Sequence, residues 1–187
     1  RVEDNTKPLI FGNTYWNAPN GTNELCTSEL NSFYMGRDIV TDIKDSRILT
    51  AAKKIELAGS VTTVRNNFSQ RDTLLQTLII GGGAKDIGEM AFQYCPKLNS
   101  VTISAPIDTI RISAFDGCTA LPAFTIPETT KTIGAYAFYN TAITSITIPA
   151  AVDSISRGVF TRCDALKSIR VEDNTKPLIF GNTYWNA

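Results

Sequence analysis

The sequence predicts a β-rich solenoid of short parallel strands, built from about seven coils of 22–23 residues. The first observation is that two apolar residue types recur at a nearly constant interval. The recurring isoleucines are Ile87, Ile110, Ile133 and Ile155, and the recurring phenylalanines are Phe92, Phe115, Phe138 and Phe160. A fixed period of this length is typical of repeats that bury their apolar side chains only against neighbouring coils.

The second observation is a short segment in each coil where apolar and polar residues alternate. Each segment is bounded by Gly, Pro or Ser, as expected for a half-buried strand. We predict strands at 33–35, 55–57, 78–80, 101–103, 124–126, 146–148 and 169–171. We interpret 1–187 as one solenoid domain whose regular coils span 74–171. The coil after Arg37 is the least regular, and we expect a short helical turn over 46–53.

The first coil is longer than the others and is repeated at the end of the chain. A segment rich in Asn, Gly and Pro at about 14–24 predicts a loop insertion. Residues 1–18, RVEDNTKPLIFGNTYWNA, recur unchanged at 170–187, an offset of 169 residues. This identity exceeds what the fold requires. It indicates either a longer super-repeat of seven coils, which we favour, or an artificial duplication of the segment.

Charge and hydropathy narrow the classes of partner. Lys and Arg number 18 and Asp and Glu number 18, so neither a net positive charge nor a basic run favours nucleic-acid binding. No apolar run is long enough to cross a bilayer. No signal peptide opens the chain, and because Arg1 falls inside a repeat we attribute this to a cut rather than to a cytosolic location.

The chain contains no histidine, which removes the commonest general base and the commonest metal ligand. Its four cysteines are Cys26, Cys95, Cys118 and Cys163, and none of them shows C-x-x-C spacing. The sequence therefore predicts no catalytic residues, no cofactor and no metal site.

A family resemblance follows from three motifs: IGAYAF at 133–138, CTAL at 118–121 and ITIP at 146–149. Together they resemble the BspA-type leucine-rich repeats of bacterial surface proteins, closely over 74–171 and loosely over 33–74. The stretch FYMGRD at 33–38 also resembles a strand variant of that family.

The resemblance implies a right-handed leucine-rich-repeat solenoid of the α/β-type horseshoe class, an extracellular or cell-surface location, and a role in adhesion or protein recognition without catalytic residues. The chain departs from the family pattern at Thr141, where a cysteine is expected, at the shortened turn 140–143, and in the long first loop.

The cysteines allow two interpretations. Cys95 and Cys118 hold equivalent positions in adjacent coils, near enough for a disulfide. Alternatively they form a stack of small buried hydrophobic side chains, which we favour because Cys163 and a cysteine-free coil fit packing better. Cys26 lies outside the stack and is the candidate exposed thiol.

Two further motifs are interpreted as turns. GGGAK at 81–85 lacks the spacing of a phosphate-binding loop and stands where other coils turn after a strand. Carboxylates at 3–4, 42, 45 and 172–173 lack the alternating pattern of a calcium loop, so solvated turns are preferred over weak calcium sites.

Candidate partner-binding residues lie on the outward face of the strands, since residues between two inward aliphatic positions face solvent. They are Tyr34, Glu56, Ile79, Thr102, Thr125, Thr147 and Arg170. The three threonines also suggest an ice-binding array, but threonine is a common exposed strand residue and this simpler account is preferred.

The insertion loop supplies two more candidates. Tyr15 and Trp16 adjoin a polar segment, where exposed aromatic residues are frequent recognition anchors. The alternative is that both cover the flank of the solenoid. The duplicate pair Tyr184 and Trp185 has no loop after it in this chain.

The sequence thus favours a non-enzymatic interaction module with a protein or glycan partner. The second hypothesis is a structural spacer within a longer repeat array, and an enzyme ranks third. We also expect head-to-tail self-association or terminal disorder, because both ends expose coil faces without capping repeats.

Overall fold

The computed structural model describes residues 9–11, 33–35, 39–41, 52–172 and 177–181. Every strand pair within these residues is parallel, and no helix occurs in them. The predicted β-solenoid is therefore confirmed. About five turns occupy 52–172, so the expected number of about seven coils differs slightly from the structure.

The strands are short, and most described coils carry one on each of two sides. In the described residues they are β1 (Leu9–Phe11), β2 (Phe33–Met35), β3 (Ile39–Thr41), β4 (Lys54–Leu57), β5 (Thr77–Ile80), β6 (Asp86–Ile87), β7 (Ser100–Ile103), β8 (Thr109–Ile110), β9 (Thr132–Ile133), β10 (Ser145–Ile148), β11 (Ser154–Ile155), β12 (Ser168–Val171) and β13 (Ile179–Phe180).

These strands form two faces of the solenoid. On the first face β2, β4, β5 and β7 pair in that order, and β10 pairs with β12. On the second face β6, β8, β9, β11 and β13 pair in that order. Strands β1 and β3 pair with each other in a separate sheet. Each coil passes along the first face, crosses a corner to the second, and returns through a turn. We call that returning side the turn flank.

One predicted strand is absent, because residues 124–126 join no sheet. The reason lies at Pro122, which takes the position held one coil earlier by Asn99. The Asn99 N–H donates to the Gln76 carbonyl at 3.0 Å, and proline has no N–H to make this bond. Phe124 and Ile126 nevertheless remain 7% and 2% exposed, so the inward alternation persists without the hydrogen-bond ladder.

The expected helical turn over 46–53 falls largely outside the described residues. Its last two positions, Ala52 and Lys53, are not helical. The predicted loop insertion at 14–24 also lies outside the described residues.

Phenylalanine rings form a continuous column through the core. Consecutive ring centroids in the series Phe68, Phe92, Phe115, Phe138 and Phe160 lie 6.1, 5.6, 5.7 and 5.8 Å apart. Phe124 packs against this column, 5.0 Å from Phe115 and 4.7 Å from Phe138. The alanines before three of these rings, Ala91, Ala114 and Ala137, are fully buried, as expected where space is short.

The turn flank is built on two rows of left-handed backbone. One row comprises Asn67, Met90, Ser113, Tyr136 and Gly158, and the other comprises Arg71, Tyr94, Gly117, Asn140 and Arg162. A non-glycine residue in this region costs about 1–3 kcal/mol. The N–H of Met90 donates to the Ile112 carbonyl at 2.9 Å, and that of Tyr94 donates to the Asp116 carbonyl at 2.7 Å. Hydrogen bonds to the following coil thus offset the strain.

The glycines Gly88 and Gly134 do not have positive φ values, so a special backbone bend does not explain them. An added Cβ at Gly134 would lie 2.6 Å from the Ile112 nitrogen, and one at Gly88 would lie 2.6 Å from the Asn66 nitrogen. Close approach of the preceding coil therefore requires glycine at both positions.

Candidate functional site

The three cysteines in the described part of the chain belong to the packed interior and are free. Cys95, Cys118 and Cys163 are all buried thiols, which supports the stack rather than the disulfide. Cys95 donates to the Ser69 carbonyl and Cys118 to the Phe92 carbonyl, each at 3.2 Å. Burial raises the pKa of Cys118 to about 12 and that of Cys95 well above its usual value. Neither thiol therefore forms the thiolate that nucleophilic chemistry requires. Cys26 lies outside the described residues.

Asp72 and Thr141 replace cysteine in two coils. Asp72 is fully buried and its carboxylate accepts from the backbone N–H groups of Ala52, Leu74 and Leu75 at 2.9, 2.9 and 3.1 Å. Burial raises the pKa of Asp72, although these hydrogen bonds oppose the rise. Thr141 donates to the Phe138 carbonyl at 3.1 Å. Both residues satisfy local backbone and lie away from solvent, so they are structural.

A second buried polar row runs beside the phenylalanine column. Gln70 Nε2 donates to Gln93 Oε1 at 2.6 Å, and Gln93 Nε2 donates to Asp116 Oδ2 at 2.8 Å. Asp116 Oδ1 is buried without a hydrogen-bond partner, and burial raises the pKa of this carboxyl group. The row links three coils. Its carboxyl group is only 7% exposed, so we assign it no contact with a ligand.

The GGGAK segment is a corner between the two faces. Added Cβ atoms at Gly81 and Gly83 would collide with the backbone of the preceding corner at 57–61. Glycine is therefore required by packing, and the turn interpretation holds. Of the acidic clusters, Glu172 is described and the others are not. In the described part of the chain no three His, Cys, Asp or Glu residues are grouped to hold a metal ion.

The structure brings four of the seven strand-face candidates into one register. Tyr34 aligns with Glu56, Glu56 with Ile79, and Ile79 with Thr102 across β2, β4, β5 and β7. Tyr34, Glu56 and Ile79 are half-buried, and Thr102 is exposed. Because adjacent strands lie about 4.8 Å apart, these side chains form a regular outward column.

Two of the remaining three strand-face candidates form a separate pair. Thr147 aligns with Arg170 across β10 and β12, and both are exposed. Thr125 is exposed as well but lies in the coil that has no strand on this face, so it interrupts the array. The only ion pair described on this face joins Lys54 and Glu56 at 3.0 Å, with both side chains 41% exposed. Such a pair contributes little to stability.

Three arginine–tyrosine pairs on the turn flank are a surface that the sequence analysis missed. Each guanidinium lies over a tyrosine ring from a neighbouring coil, at a distance typical of cation–π contacts. The pairs are Arg71 with Tyr94 at 5.8 Å, Arg157 with Tyr136 at 5.4 Å and Arg162 with Tyr139 at 5.9 Å.

Two of these pairs merge into one patch, which we call the Tyr–Arg cluster: Tyr136, Tyr139, Arg157 and Arg162. The two tyrosine rings meet edge to face, 5.9 Å apart. Both arginines are exposed, and over 52–172 neither forms an ion pair. Tyrosine and arginine are the residue types enriched at binding hot spots. A survey of the outward positions on both sides of each core phenylalanine, rather than of strands alone, would have identified it.

The aromatic loop candidates Tyr15 and Trp16 lie outside the described residues, as do Tyr184 and Trp185. Their role as recognition anchors therefore stays a prediction. Within the described ranges, no helix is long and apolar enough to span a membrane.

The repeat geometry agrees with the family comparison. A family model for the BspA type leucine rich repeat region matches residues 85–182, in six copies and over just more than half of the chain. The chain belongs to this family. No curated protein matches it.

Two solved bacterial structures share the fold of this BspA-type chain, and a third is similar at a lower TM-score. A leucine-rich repeat protein from Eubacterium ventriosum is 27% identical, with a TM-score of 0.60 over 65% of this chain and 32% of its own. A leucine-rich repeat protein from Bacteroides ovatus is 24% identical, with a TM-score of 0.56 over 75% of this chain and 33% of its own. A leucine rich cell surface protein from Faecalibacterium prausnitzii is 23% identical, with a TM-score of 0.49 over 78% of this chain and 48% of its own. The chain thus spans about a third of the length of the first two.

Proposed function

We propose that this protein is a non-enzymatic interaction module that binds a protein or glycan partner in an extracellular or cell-surface setting. The observation that carries the proposal is the outward column of Tyr34, Glu56, Ile79 and Thr102, one side chain per coil on a rigid face. Extended faces of solenoids are the usual binding surfaces of repeat proteins. Membership of the BspA-type family supports the surface location and a role in adhesion.

Interior chemistry supports binding over catalysis. Burial raises the pKa of the Cys95 and Cys118 thiols, and the buried carboxylate of Asp72 is occupied by backbone donors. These thiol and carboxylate groups are therefore held inside the repeat. The outward residues are neutral or weakly paired, which suits a recognition surface whose affinity is spread over several coils.

The Tyr–Arg cluster supplies a second contact for the same partner. Its two guanidinium groups, which form no ion pair with another residue of 52–172, favour an anionic group, such as the carboxylate of an acidic glycan or of a protein side chain. The adjoining tyrosine rings add apolar area at low conformational cost. An acidic partner would thus contact the turn flank as well as the strand face.

The competing function is a structural spacer without a specific ligand. The observation that favours it is the exact recurrence of residues 1–18 at 170–187, since a repeating block needs no partner to serve as a rod. Glycan arrays and pull-downs on cell-surface extracts separate the two functions. Failure to bind any ligand across broad panels would favour the spacer.

Matched variants then locate the contact. We expect Thr102→Lys to weaken binding, because it places a long charged side chain in the middle of the strand face. Thr119→Lys makes the same change at an exposed position off that face and should leave binding intact. Equal effects of the two variants would contradict the strand-face assignment.

Two further variants test the remaining surfaces. The double variant Arg157→Ala and Arg162→Ala should lower affinity for an acidic ligand and reduce its salt dependence. Trp16→Ala tests the predicted loop anchor, and unchanged binding would remove the loop from the site. Circular dichroism on each variant confirms that the fold is retained.

A further inference from the structure

The first face of the solenoid is divided at one coil, whereas the second face is continuous. On the first face the sheet of β2, β4, β5 and β7 ends at β7, and a separate sheet begins at β10. Residues 122–127 lie between these two sheets and join neither. On the second face β8 pairs with β9 and β9 pairs with β11, so backbone pairing runs past the same coil without a gap.

Prolines remove the hydrogen bonds at both ends of the missing strand. Pro122 removes the bond at its start, as described for the fold. At its end the preceding coil has a bond from the Ser104 N–H to the Ile80 carbonyl at 2.9 Å. Pro127 and Pro149 take the position of Ser104 in the next two coils. Because proline has no N–H, this bond is lost on both sides of the segment 122–127.

Side-chain packing holds this segment in place. Within 52–172 residues 122–126 form one backbone hydrogen bond to a neighbouring coil, from the Thr144 N–H to the Pro122 carbonyl at 3.2 Å. Phe124 and Ile126 are buried and supply the remaining hold on the core. Apolar contact is non-directional, whereas a hydrogen-bond ladder fixes the spacing of neighbouring strands. The first face therefore lacks its rigid connection at this coil.

The strand before the gap is incompletely covered. Val101 and Ile103, the inward residues of β7, are only half-buried. The residues aligned with them in β5, Leu78 and Ile80, are both 0% exposed. Described coils lie on both sides of this position, so the exposure arises from the gap in the first face and not from an end of the chain.

We propose that residues 122–127 form a hinge at which the solenoid bends. The first face opens and closes at this coil, and the continuous second face acts as the pivot. Hinges are formed by a few residues that absorb the conformational change between rigid bodies. The motion changes the distance between the outward column that ends at Thr102 and the pair Thr147 and Arg170. It depends only on the hydrogen bonds of the fold, so it goes beyond the proposed function and holds with or without a bound partner.

Pairs of spin labels on the two faces test the hinge in the full chain, with Cys26→Ser as the background. Thr102→Cys with Thr147→Cys labels the first face on both sides of the gap. Thr109→Cys with Ser154→Cys is the matched pair on the second face, since each pair spans two coils, or about 10 Å. Dipolar broadening in electron paramagnetic resonance should give a wider distance distribution on the first face. Equal widths on the two faces would overturn the proposal.

Replacing the prolines tests the cause of the bending. The double variant Pro122→Asn and Pro127→Ser introduces the residue types that the preceding coil has at these positions, Asn99 and Ser104. It should narrow the first-face distribution to the width found on the second face. Pro96→Asn is the control, because Pro96 is exposed outside the first face, and it should leave the distribution wide. No narrowing in the double variant, or equal narrowing in the control, would contradict the hinge.

Amide hydrogen exchange is a second measurement that needs no labels. In the unmodified chain the amides of 123–126 should exchange faster than those of β5, which pairs with strands on both of its edges. The double proline variant should slow exchange at 123–126 by at least about tenfold, since the ladder can form there. Equal protection of 123–126 and β5 in the unmodified chain, or unchanged exchange in the double variant, would also overturn the proposal.

Discussion

Replacing Phe115 with alanine tests whether the phenylalanine column joins the coils into one cooperative unit. Phe115 is fully buried and stacks between Phe92 at 5.6 Å and Phe138 at 5.7 Å, with Phe124 tilted against it at 5.0 Å. Truncation of a buried phenylalanine costs about 3–5 kcal/mol. Each aromatic pair is worth about 0.5–1.5 kcal/mol beyond area burial, so three ring contacts place the loss near the top of that range.

The measurement is urea denaturation followed by circular dichroism. We expect Phe115→Ala to lower the free energy of unfolding by about 4–5 kcal/mol. Because coils contact only their neighbours, a gap in the middle should also uncouple the two halves. The urea dependence of the unfolding free energy should therefore decrease, or the transition should split.

Phe160→Ala provides the control. Phe160 is 8% exposed and stacks on Phe138 at 5.8 Å, farther along the solenoid. Its truncation leaves a partly open site, so the loss should be smaller and the transition should stay single. A loss at Phe115 below about 2 kcal/mol, or one no larger than that at Phe160, would refute the cooperative column.

Three further predictions concern single residues. Asp116→Asn should stabilise the fold at neutral pH, because it removes a buried charge. Since burial raises the pKa of Asp116 in the folded state, this advantage is full above the folded pKa, fades as the pH falls through it, and is gone below the reference value of 3.8, as urea midpoints at several pH values will show. Gly117→Ala should destabilise the fold by more than about 1 kcal/mol, because φ is +73° and the added Cβ would clash with the Tyr94 ring. Gly59→Ala is the control in thermal denaturation, since its added Cβ meets nothing closer than 3.7 Å. Cys118 should resist alkylation in the native state and react only on unfolding, as site-resolved mass spectrometry will show; rapid native labelling would contradict its burial.

Much of the interior could be predicted from the sequence. Ile87, Phe92 and Cys95 each recur in later coils at the same interval. Residues that recur with the period of a stack pack against their equivalents in the neighbouring coils. The stacked rings and the buried thiols follow from this repetition alone. The candidate strand face followed too, because alternation along a strand decides which side chains point outward.

Local exceptions were harder to predict, since they depend on hydrogen bonds between coils. Phe124, Thr125 and Ile126 alternate as a strand should, yet they form none because Pro122 lacks the N–H that would bond the preceding coil. The left-handed backbone of the turn flank is another example. Nothing in the local sequence indicates that Met90 takes a left-handed conformation, which is sustained by its bond to the next coil.

By itself the sequence determined the solenoid, its period, its inward residues and its family, because each of these depends on what repeats. Only the tertiary structure decided which outward residues come together. Arg157 and Tyr136 are 21 residues apart in the chain and Arg162 and Tyr139 are 23 apart, yet stacking one coil on the next brings each pair into contact. These side chains differ from coil to coil, so the repeat pattern does not predict their contacts. Their proximity comes from the register of neighbouring coils.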